Sequence, residues 1–293
     1  MLHLSNLSKT YAGGVHALQA VNLDIPTGLF GLLGPNGAGK STLMRTIATL
    51  QSPDFGTLQF GDIDVLRDKM RLRRVLGYLP QEFGSYPRTP AELMLKHFAA
   101  LKGIHGAGQD TEVERLLVLT NLWDVRKRSV DTYSGGMKQR FGIAQALLGN
   151  PRLVIVDEPT AGLDPAERRR FQNLLVELGQ DRVVILSTHL VDDVEDLCPQ
   201  LAIMGQGRIL AEGQPGTLID ALDNRLWMAV VPRDQVTSLR AQHKVLSCRL
   251  KSGSMEVRVL ATQCPPGMEK AVPTLEDVYF ATLQQHGLTA NLE

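Results

Sequence analysis

A glycine-rich run between two periodic segments is the feature that most restricts the folds open to this chain. Residues 34–41 are Gly-Pro-Asn-Gly-Ala-Gly-Lys-Ser, which fits the pattern G-x-x-x-x-G-K-[ST]. The apolar residues 29–33 before the run are predicted to form a buried strand, and residues 42–50 after it are predicted to form a helix. In this context the run predicts a phosphate-binding loop and not merely a glycine-rich turn.

The residue types in this run have a physical reason. Glycines let backbone N–H groups point inward and approach an anion closely, at the start of a helix whose dipole favours negative charge. Lys40 is expected to reach the β and γ phosphates of a nucleotide, and Ser41 is expected to bind Mg²⁺. The expected nucleotide contacts are Gly34, Pro35, Asn36, Gly37, Ala38, Gly39, Lys40, Ser41 and Thr42.

A second apolar stretch runs straight into two acids. Residues 153–156 are Leu-Val-Ile-Val, and Asp157 and Glu158 follow. Neighbouring carboxylates at the end of a buried strand repel each other and lose hydration, so a positive partner is required. Beside a phosphate loop, Asp157 would hold Mg²⁺ through water and Glu158 would polarise a water that attacks the γ-phosphate. The alternative is that both carboxylates leave the strand end and face solvent.

Strand and helix patterns alternate through the region that follows. After residues 153–156 comes a predicted helix, which Asp164 can cap and in which Pro165 fits the first position. A further strand is predicted at residues 183–186, and a hairpin at residues 201–211. This alternation predicts parallel βαβ units, with ligand chemistry at the carboxyl ends of the strands.

The flanking stretches have other patterns. Strict alternation predicts half-exposed strands at residues 21–25 and 58–60, and residues 74–79 are predicted to form another strand. From residue 91 to residue 149 the period is helical. Later strands are predicted at residues 226–231, 245–250 and 255–260, with a last helix from Thr274. After Gly216 the regular alternation of strands and helices gives way to short predicted strands around a polar helix. The residues that follow are therefore predicted to form a small C-terminal domain.

Several further motifs occur in the order that one protein family shows. They are Tyr11, Gln81 in Tyr-Leu-Pro-Gln, the run Ser-Gly-Gly-Met-Lys-Gln from Ser134, the run Ala-Gly-Leu-Asp ending at Asp164, and His189 in Ser-Thr-His. They resemble, in turn, the adenine-stacking aromatic, Q-loop, signature motif, D-loop and switch histidine of ATP-binding cassette (ABC) transporters. Over roughly residues 1–215 the chain thus resembles the nucleotide-binding subunit of such a transporter, of the exporter-like ABC-2 type.

The resemblance completes the predicted fold class, which is α/β. It implies the RecA-like core of a phosphate-loop NTPase with an N-terminal antiparallel β subdomain and a helical signature subdomain at about residues 85–149. The ABC ATPase domain would span residues 1–215. A small α+β accessory domain would span residues 216–293.

The resemblance also implies a role for each motif. Two cassettes are expected to pair head to tail, each offering its signature residues Ser134, Gly135 and Gly136 to the other's ATP. Asp164 of the D-loop-like run is also expected to be a nucleotide contact. A helix start at Ser134 would itself attract an anion. His189 would contact the γ-phosphate and fix the attacking water, while Gln81 would sense that water and bind Mg²⁺. Tyr11 would stack on adenine.

Some of these residues have a purely structural alternative. Ser134 could be an ordinary helix cap, and His189 a satisfied structural histidine. Tyr11 could be a loop residue that packs on its own domain. Phe83 and Tyr86 are candidates for a groove that receives a helix of a membrane subunit, or else they pack the helical region onto the core.

The implied function is ATP hydrolysis that drives transport through separate transmembrane permease subunits, with a second ABC ATPase subunit as partner. The run Tyr-Ser-Gly-Gly-Met and the run Thr-Leu-Glu-Asp-Val-Tyr from Thr274 resemble exporter cassettes, so export is expected. One alternative is a soluble ABC-type ATPase that acts on ribosomes or DNA. Another is a nucleotide-binding regulator without turnover, although the presence of both Glu158 and His189 favours turnover.

The charge balance bears on partners. The chain has 31 Lys plus Arg and 31 Asp plus Glu, so no net field attracts nucleic acid. Basic clusters at residues 71–74, 126–128 and 168–170 are interleaved with acids, which favours solvated faces. No nucleic-acid partner is therefore expected.

The apolar runs and cysteines bear on location. No apolar run approaches the roughly 18 to 20 residues that a membrane-spanning helix needs. The N-terminus has no signal-peptide pattern, and three scattered cysteines suit a reducing compartment. The expected location is cytoplasmic, peripheral on the cytoplasmic face of the cell membrane.

Overall fold

A computed structural model describes residues 1–81, 84, 88–159 and 163–288 of the 293-residue chain. Its first elements are β1 Leu2–Thr10, β2 His16–Ile25, β3 Gly28–Leu33, α1 Lys40–Ile47, β4 Phe55–Phe60, β5 Ile63–Asp64, α2 Lys69–Val75 and β6 Leu76–Leu79. Three helices follow, which are α3 Ala91–Leu101, α4 Ala107–Leu119 and α5 Gly135–Ala146. The predicted helical region is thus helical from Ala91 onward.

The next elements alternate between strand and helix. They are β7 Leu153–Asp157, α6 Pro165–Leu178, β8 Val183–Thr188, α7 Val191–Leu197, β9 Gln200–Gly205 and β10 Arg208–Gly213. The last part of the chain contains α8 Pro215–Asp220, β11 Leu226–Val231, α9 Val236–Gln242, β12 Val245–Lys251, β13 Ser254–Leu260, β14 Glu269–Lys270 and α10 Leu275–Gln285. The strands, hairpin and final helix predicted after residue 150 are present.

The central sheet has the strand order β10-β9-β3-β8-β7-β6. All neighbours from β9 to β6 are parallel, and only the hairpin partner β10 is antiparallel. The residues of β7 are buried throughout, as a parallel strand covered on both faces should be. Because parallel strands end at one edge, this order brings the loops after β3, β7 and β8 together. The α/β core predicted from the alternation is confirmed.

The two faces of this sheet carry separate hydrophobic cores. On one face, an antiparallel sheet with the order β2-β1-β4-β5 packs with α1, and its buried residues Leu2, Leu23 and Leu43 share a cluster with Phe30 and Ile155. The alternation at residues 21–25 corresponds to alternately buried and exposed side chains, as predicted. The N-terminal antiparallel subdomain therefore covers the helix that follows the phosphate loop.

Two predicted boundaries were wrong. The strand predicted at residues 74–79 begins only at Leu76, because Asp68 caps a helix through the N–H of Arg71 and that helix continues to Val75. The helix predicted at residues 42–50 runs Lys40–Ile47 instead. It begins earlier because the left-handed residue Gly39 is its N-cap, with the Gly39 carbonyl accepting from Leu43 N–H.

The residues after 215 share a core with the cassette. Their sheet has the order β12-β13-β11-β14, and α10 contacts α7, β9 and β10. Leu246 and Val278 lie in the same buried cluster as Val194 and Leu201. The predicted domain boundary at residue 215 stays a prediction, but the apolar packing is continuous across it.

The first residues of α10 form a complete capping box. The Thr274 side chain accepts from Asp277 N–H, and the Asp277 carboxylate accepts from Thr274 N–H. The helix thus begins where the sequence predicts. Across the described ranges, no helix combines the length and apolarity that crossing a bilayer requires.

Candidate functional site

A cavity of about 450 Å³ lies beside the loop that follows β3, a size common for small-molecule sites. Its lining residues are Tyr11, Val15, His16, Ala17, Pro35, Asn36, Gly37, Ala38, Gly39, Lys40, Ser41, Thr42, Gln81, Glu158, His189 and Gln206. Most of the residues predicted from the sequence therefore meet in one place. Apart from Tyr11, which follows β1, they come from the carboxyl ends of β3, β6, β7 and β8, as the parallel arrangement requires.

The phosphate loop depends on glycine at Gly39. Its φ of 105° lies in the left-handed region, and a Cβ there would come within 2.4 Å of the Ala17 carbonyl oxygen. The loop is also tied to the β9–β10 turn, because the N–H of Gly207 donates to the carbonyl of Ala38 at 2.8 Å. A larger residue at position 39 would push the loop away from β2 and from the cavity.

Lys40 is the cation of the cavity and is almost fully buried. Its Nζ donates to the carbonyl oxygens of Gly34 at 2.6 Å and Pro35 at 3.3 Å, and it lies 3.9 Å from Oε1 of Glu158. Burial lowers the pKa of Lys40, and the negative charges of Glu158 and Asp157 oppose that shift. The loop's own carbonyls thus aim the ammonium toward the acids at the end of β7.

Glu158 and His189 form the closest side-chain pair in the cavity. Nδ1 of His189 lies 2.6 Å from Oε2 of Glu158, and the Glu158 backbone N–H donates to the Ser187 carbonyl at 2.8 Å. Glu158 is only 8% exposed, whereas about half of the His189 side chain is open to the cavity. The Glu158 backbone is left-handed, with φ of 50°, which turns the chain sharply at the strand end. Its carboxylate therefore faces Lys40 with one oxygen and His189 with the other.

Asp157 is buried with an unsatisfied oxygen. It is 3% exposed, and its Oδ1 has no hydrogen-bond partner among the described residues; the same is true of Oγ of Ser187, its register partner on β8. Buried polar atoms normally have partners, so this pair needs one. An unpaired carboxylate oxygen beside a phosphate loop suits a hydrated cation.

Tyr11 lies in the cavity wall and is also tied to its own domain. Its hydroxyl donates to Oε1 of Gln51 at 2.8 Å, and 38% of the residue remains exposed. Packing of Tyr11 on its own domain and stacking on adenine are thus compatible, because Tyr11 still lines the cavity while its hydroxyl is bonded to Gln51. The bond to Gln51 fixes where the ring stands.

The signature residues lie elsewhere. Ser134 caps α5 by accepting from the N–H of Met137, and both Ser134 and Gly135 are exposed. Gly136 faces Glu167 of α6, and Asp164 caps α6 through the N–H groups of Ala166 and Glu167. The cavity lining does not include Ser134, Gly135, Gly136 or Asp164. One chain alone does not bring this group to its own phosphate loop.

Some predicted positions cannot be placed. Phe83 and Tyr86, proposed for a docking groove, lie outside the described residues, as do Ala161 and Gly162 of the D-loop-like run. Gln81, in contrast, is described and lines the cavity.

Four lining residues were not predicted, namely Val15, His16, Ala17 and Gln206. The turn at residues 12–14 brings the first three back beside Tyr11, since Tyr11 N–H donates to the Val15 carbonyl. The Ala-Gly-Gly run at this turn was an available signal. Gln206 lies in the turn of the predicted hairpin between β9 and β10. The sequence did not show that this turn lies beside the phosphate loop, because that depends on strand order, which is not a local property of the sequence.

The comparisons with known proteins agree with this geometry. Residues 18–161 match the family model described as ABC transporter. The Nod factor export ATP-binding protein I of Rhizobium etli is 35% identical over 223 residues, a match that covers 75% of this chain and 70% of that protein. The chain belongs to the ABC transporter family.

Other members of the ABC transporter family are similar over comparable stretches. The probable multidrug ABC transporter ATP-binding protein YbhF of Escherichia coli K12 is 34% identical over 237 residues, which is 80% of this chain but 41% of that protein. The chain thus spans less than half the length of this relative. A solved dimeric post-hydrolysis state of the ATP-binding cassette MJ0796 bound to ADP and Pi has a TM-score of 0.67 and 26% identity, covering 73% of this chain and 98% of that one.

These similarities confirm the predicted fold class of a phosphate-loop NTPase with an antiparallel β subdomain. The chain is an ABC-type ATPase by family.

Proposed function

We propose that this chain is the ATP-binding and ATP-hydrolysing subunit of an ABC exporter, and that it works with separate transmembrane permease subunits. The observation that carries the proposal is the single carboxylate of Glu158 at the end of β7, which faces both Lys40 of the phosphate loop and His189. The export direction is supported by relatives whose names describe Nod factor export and multidrug transport.

The phosphate loop binds the nucleotide. Backbone N–H groups of the loop between Asn36 and Thr42 surround the phosphates, and Lys40 holds the β and γ phosphates as a point charge. Tyr11 at the far wall stacks on adenine while its hydroxyl stays on Gln51. The negative charge of the bound phosphates stabilises the protonated form of Lys40, which burial otherwise disfavours.

Glu158 and His189 act on the attacking water. The Glu158 carboxylate accepts a proton from that water, and the bond to His189 Nδ1 orients the carboxylate for the transfer. The exposed part of His189 contacts the γ-phosphate and fixes the water between them. Lys40 Nζ lies 3.9 Å from the other oxygen of Glu158, so the carboxylate stands between the phosphate-binding cation and His189.

The donor set suits Mg²⁺ bound together with the nucleotide. Ser41 and Gln81 line the cavity, and Asp157 is buried behind the lining with its Oδ1 unpaired; together they would hold the ion. Within the described residues, no group of three acidic, histidine or cysteine side chains forms a metal site by itself. That fits an ion held by few protein ligands and by substrate phosphates, as Mg²⁺ usually is. When bound, Mg²⁺ would neutralise charge that develops on the phosphates.

A second cassette completes the site. Ser134, Gly135, Gly136 and Asp164 do not line their own cavity and offer a helix start to the ATP of a partner cassette, most simply a second copy of this chain. The dimeric state of the ATP-binding cassette MJ0796 supports this arrangement. ATP then joins the two copies, and hydrolysis releases them.

The helical region docks onto the permease, so the chain works at the cytoplasmic face of the membrane. Affinity purification of the tagged full-length chain from solubilised membranes of its native host tests this. A stoichiometric multi-spanning permease is the expected partner, and ATPase activity of the purified complex should be lost in the Glu158→Gln variant. Recovery of ribosomal proteins or DNA without a membrane protein would contradict the transporter proposal and favour a soluble ABC-type ATPase.

A further inference from the structure

The short helix after His189 is held by three consecutive residues, each against a different neighbour. Leu190 alone separates His189 from α7. Val194 is fully buried against β3, so closely that a Cβ at Gly31 would lie 2.4 Å from its Cγ1. The side chain of Glu195 lies near the backbone of Leu275, at the start of α10, which contacts α7. The third anchor is Asp193, and it faces the helix that follows Glu158.

Asp193 is clamped by two side chains of α6. Its Oδ1 accepts from Nε of Arg168 at 2.9 Å and from Nε2 of Gln172 at 2.9 Å, and it lies 2.8 Å from Nη2 of Arg168. The two donors are four residues apart and so project from one face of α6. Asp193 is 0% exposed, whereas about a third of the Arg168 side chain reaches solvent. A charge-assisted contact to a fully buried carboxylate is strong and specific in geometry.

The clamp joins the two segments that leave the catalytic pair. The chain runs from Glu158 to Asp164, the cap of α6, and Arg168 lies in the first turns of that helix. On the other side it runs from His189 into α7, and Asp193 lies in the first turn there. Each helix moves as a unit, so a fixed distance between their first turns restricts how far His189 can shift from Glu158. The packing of Val194 holds α7 against β3, but it does not tie α7 to α6.

We infer that Asp193 is a positioning residue for ATP hydrolysis, which holds His189 at hydrogen-bond distance from Glu158 by tying α7 to Arg168 and Gln172 of α6. The inference rests on the proposed function, because it assigns a catalytic use to the Glu158–His189 pair. Asp193 does not line the nucleotide cavity, so its loss should affect turnover and not ATP affinity.

The test is the Asp193→Asn variant of the full-length chain in its purified active form, with rates divided by the number of sites that bind a fluorescent ATP analogue. The expected result is a kcat per binding site that falls roughly tenfold to a hundredfold, the range for a misplaced catalytic group, with KM for ATP within about twofold. Amide hydrogen exchange should also speed up in residues 189–194. Because Arg168 is partly exposed, Arg168→Met is a second variant that should fold and show the same split, and Arg168→Lys should restore part of the rate.

Glu112→Gln is the matched control. The Glu112 carboxylate on α4 is 18% exposed, and it accepts from Nε of Arg115 at 2.9 Å and from the N–H of Gly149 at 3.3 Å, on elements other than α6 and α7. This variant should lower the melting temperature yet leave kcat per binding site and the exchange of residues 189–194 unchanged. Wild-type kcat per site in Asp193→Asn and Arg168→Met, or an equal loss in Glu112→Gln, would overturn the inference. Absence of ATPase activity in the parent, or full activity in Glu158→Gln, would instead overturn the proposed function.

Discussion

Nδ1 of His189 lies 2.6 Å from Oε2 of Glu158, across the ends of two neighbouring parallel strands. The pair is 31 residues apart in sequence and is joined only because β7 and β8 end at the same edge. The second oxygen of the same carboxylate lies 3.9 Å from Lys40 Nζ. One side chain thus connects the phosphate loop with His189.

Replacement of Glu158 by glutamine should separate ATP binding from turnover. Glutamine keeps the size of the side chain but cannot accept a proton, so kcat should fall by roughly 10² to 10⁴. ATP affinity should change little, and gel filtration with Mg²⁺ and ATP should show a long-lived dimer. A variant that hydrolyses ATP like the parent would remove Glu158 as the base.

The buried lysine predicts an alkaline limit for ATP binding. Burial lowers the pKa of Lys40, and only its protonated form attracts phosphate, so affinity is complete below that pKa and is lost as pH rises through it. The loss should begin below the ordinary lysine value of 10.5. Titration of ATP binding between about pH 8 and pH 10 measures this, against the Lys40→Arg variant, whose charge does not titrate. Equal pH dependence in both proteins would contradict the assignment, and Lys40→Ala should lose most nucleotide binding.

Gly135 provides a test of the two-cassette site that does not disturb the fold. A Cβ at this position would meet no atom within 4 Å of it, and the backbone φ is not left-handed. Gly135→Ala should therefore keep the melting temperature and monomeric ATP affinity of the parent. It should still abolish ATP-dependent dimerisation and turnover, because an added methyl group blocks close approach of a partner's phosphates. Dimerisation at the parental level would exclude this face.

Deletion of residues 216–293 tests whether the predicted C-terminal domain is separable. Val278 and Leu246 pack in one cluster with Leu201, so the deletion should uncover apolar surface and destabilise the cassette. Calorimetry of the full chain should show a single transition, and the shortened chain should bind a hydrophobic dye. A shortened chain with the melting temperature and ATPase rate of the parent would establish an independent domain.

Local patterns predicted much of the site. The phosphate loop, the buried strand that ends at Asp157 and the cap at Asp164 are each encoded within about ten residues, and each lies where the sequence places it. The parallel direction of β3, β8 and β7 followed from the alternation of strands and helices, although their order did not. Family resemblance then supplied Gln81 and His189, whose sequence context alone was unremarkable.

What the sequence did not reveal depends on contacts between distant segments. The bonds of Asp193 to Arg168 and Gln172 join helices on different βα units, and the basic cluster at residues 168–170 suggested only a solvated face. The boundary at Leu76 was missed because an apolar run followed directly on a capped helix, and the two patterns overlap there. The packing of α10 could not be predicted either, because an apolar helix face does not indicate which surface it will cover.

The continuous core across residue 215 has a consequence for chimeras. A junction placed there to exchange C-terminal segments between related cassettes cuts through packed side chains, with Leu201 on one side and Val278 on the other. Donor segments must therefore match the α7, β9 and β10 surfaces of the recipient, or both halves lose their packing. In this protein the tail and the cassette surface it covers would therefore have to be exchanged together.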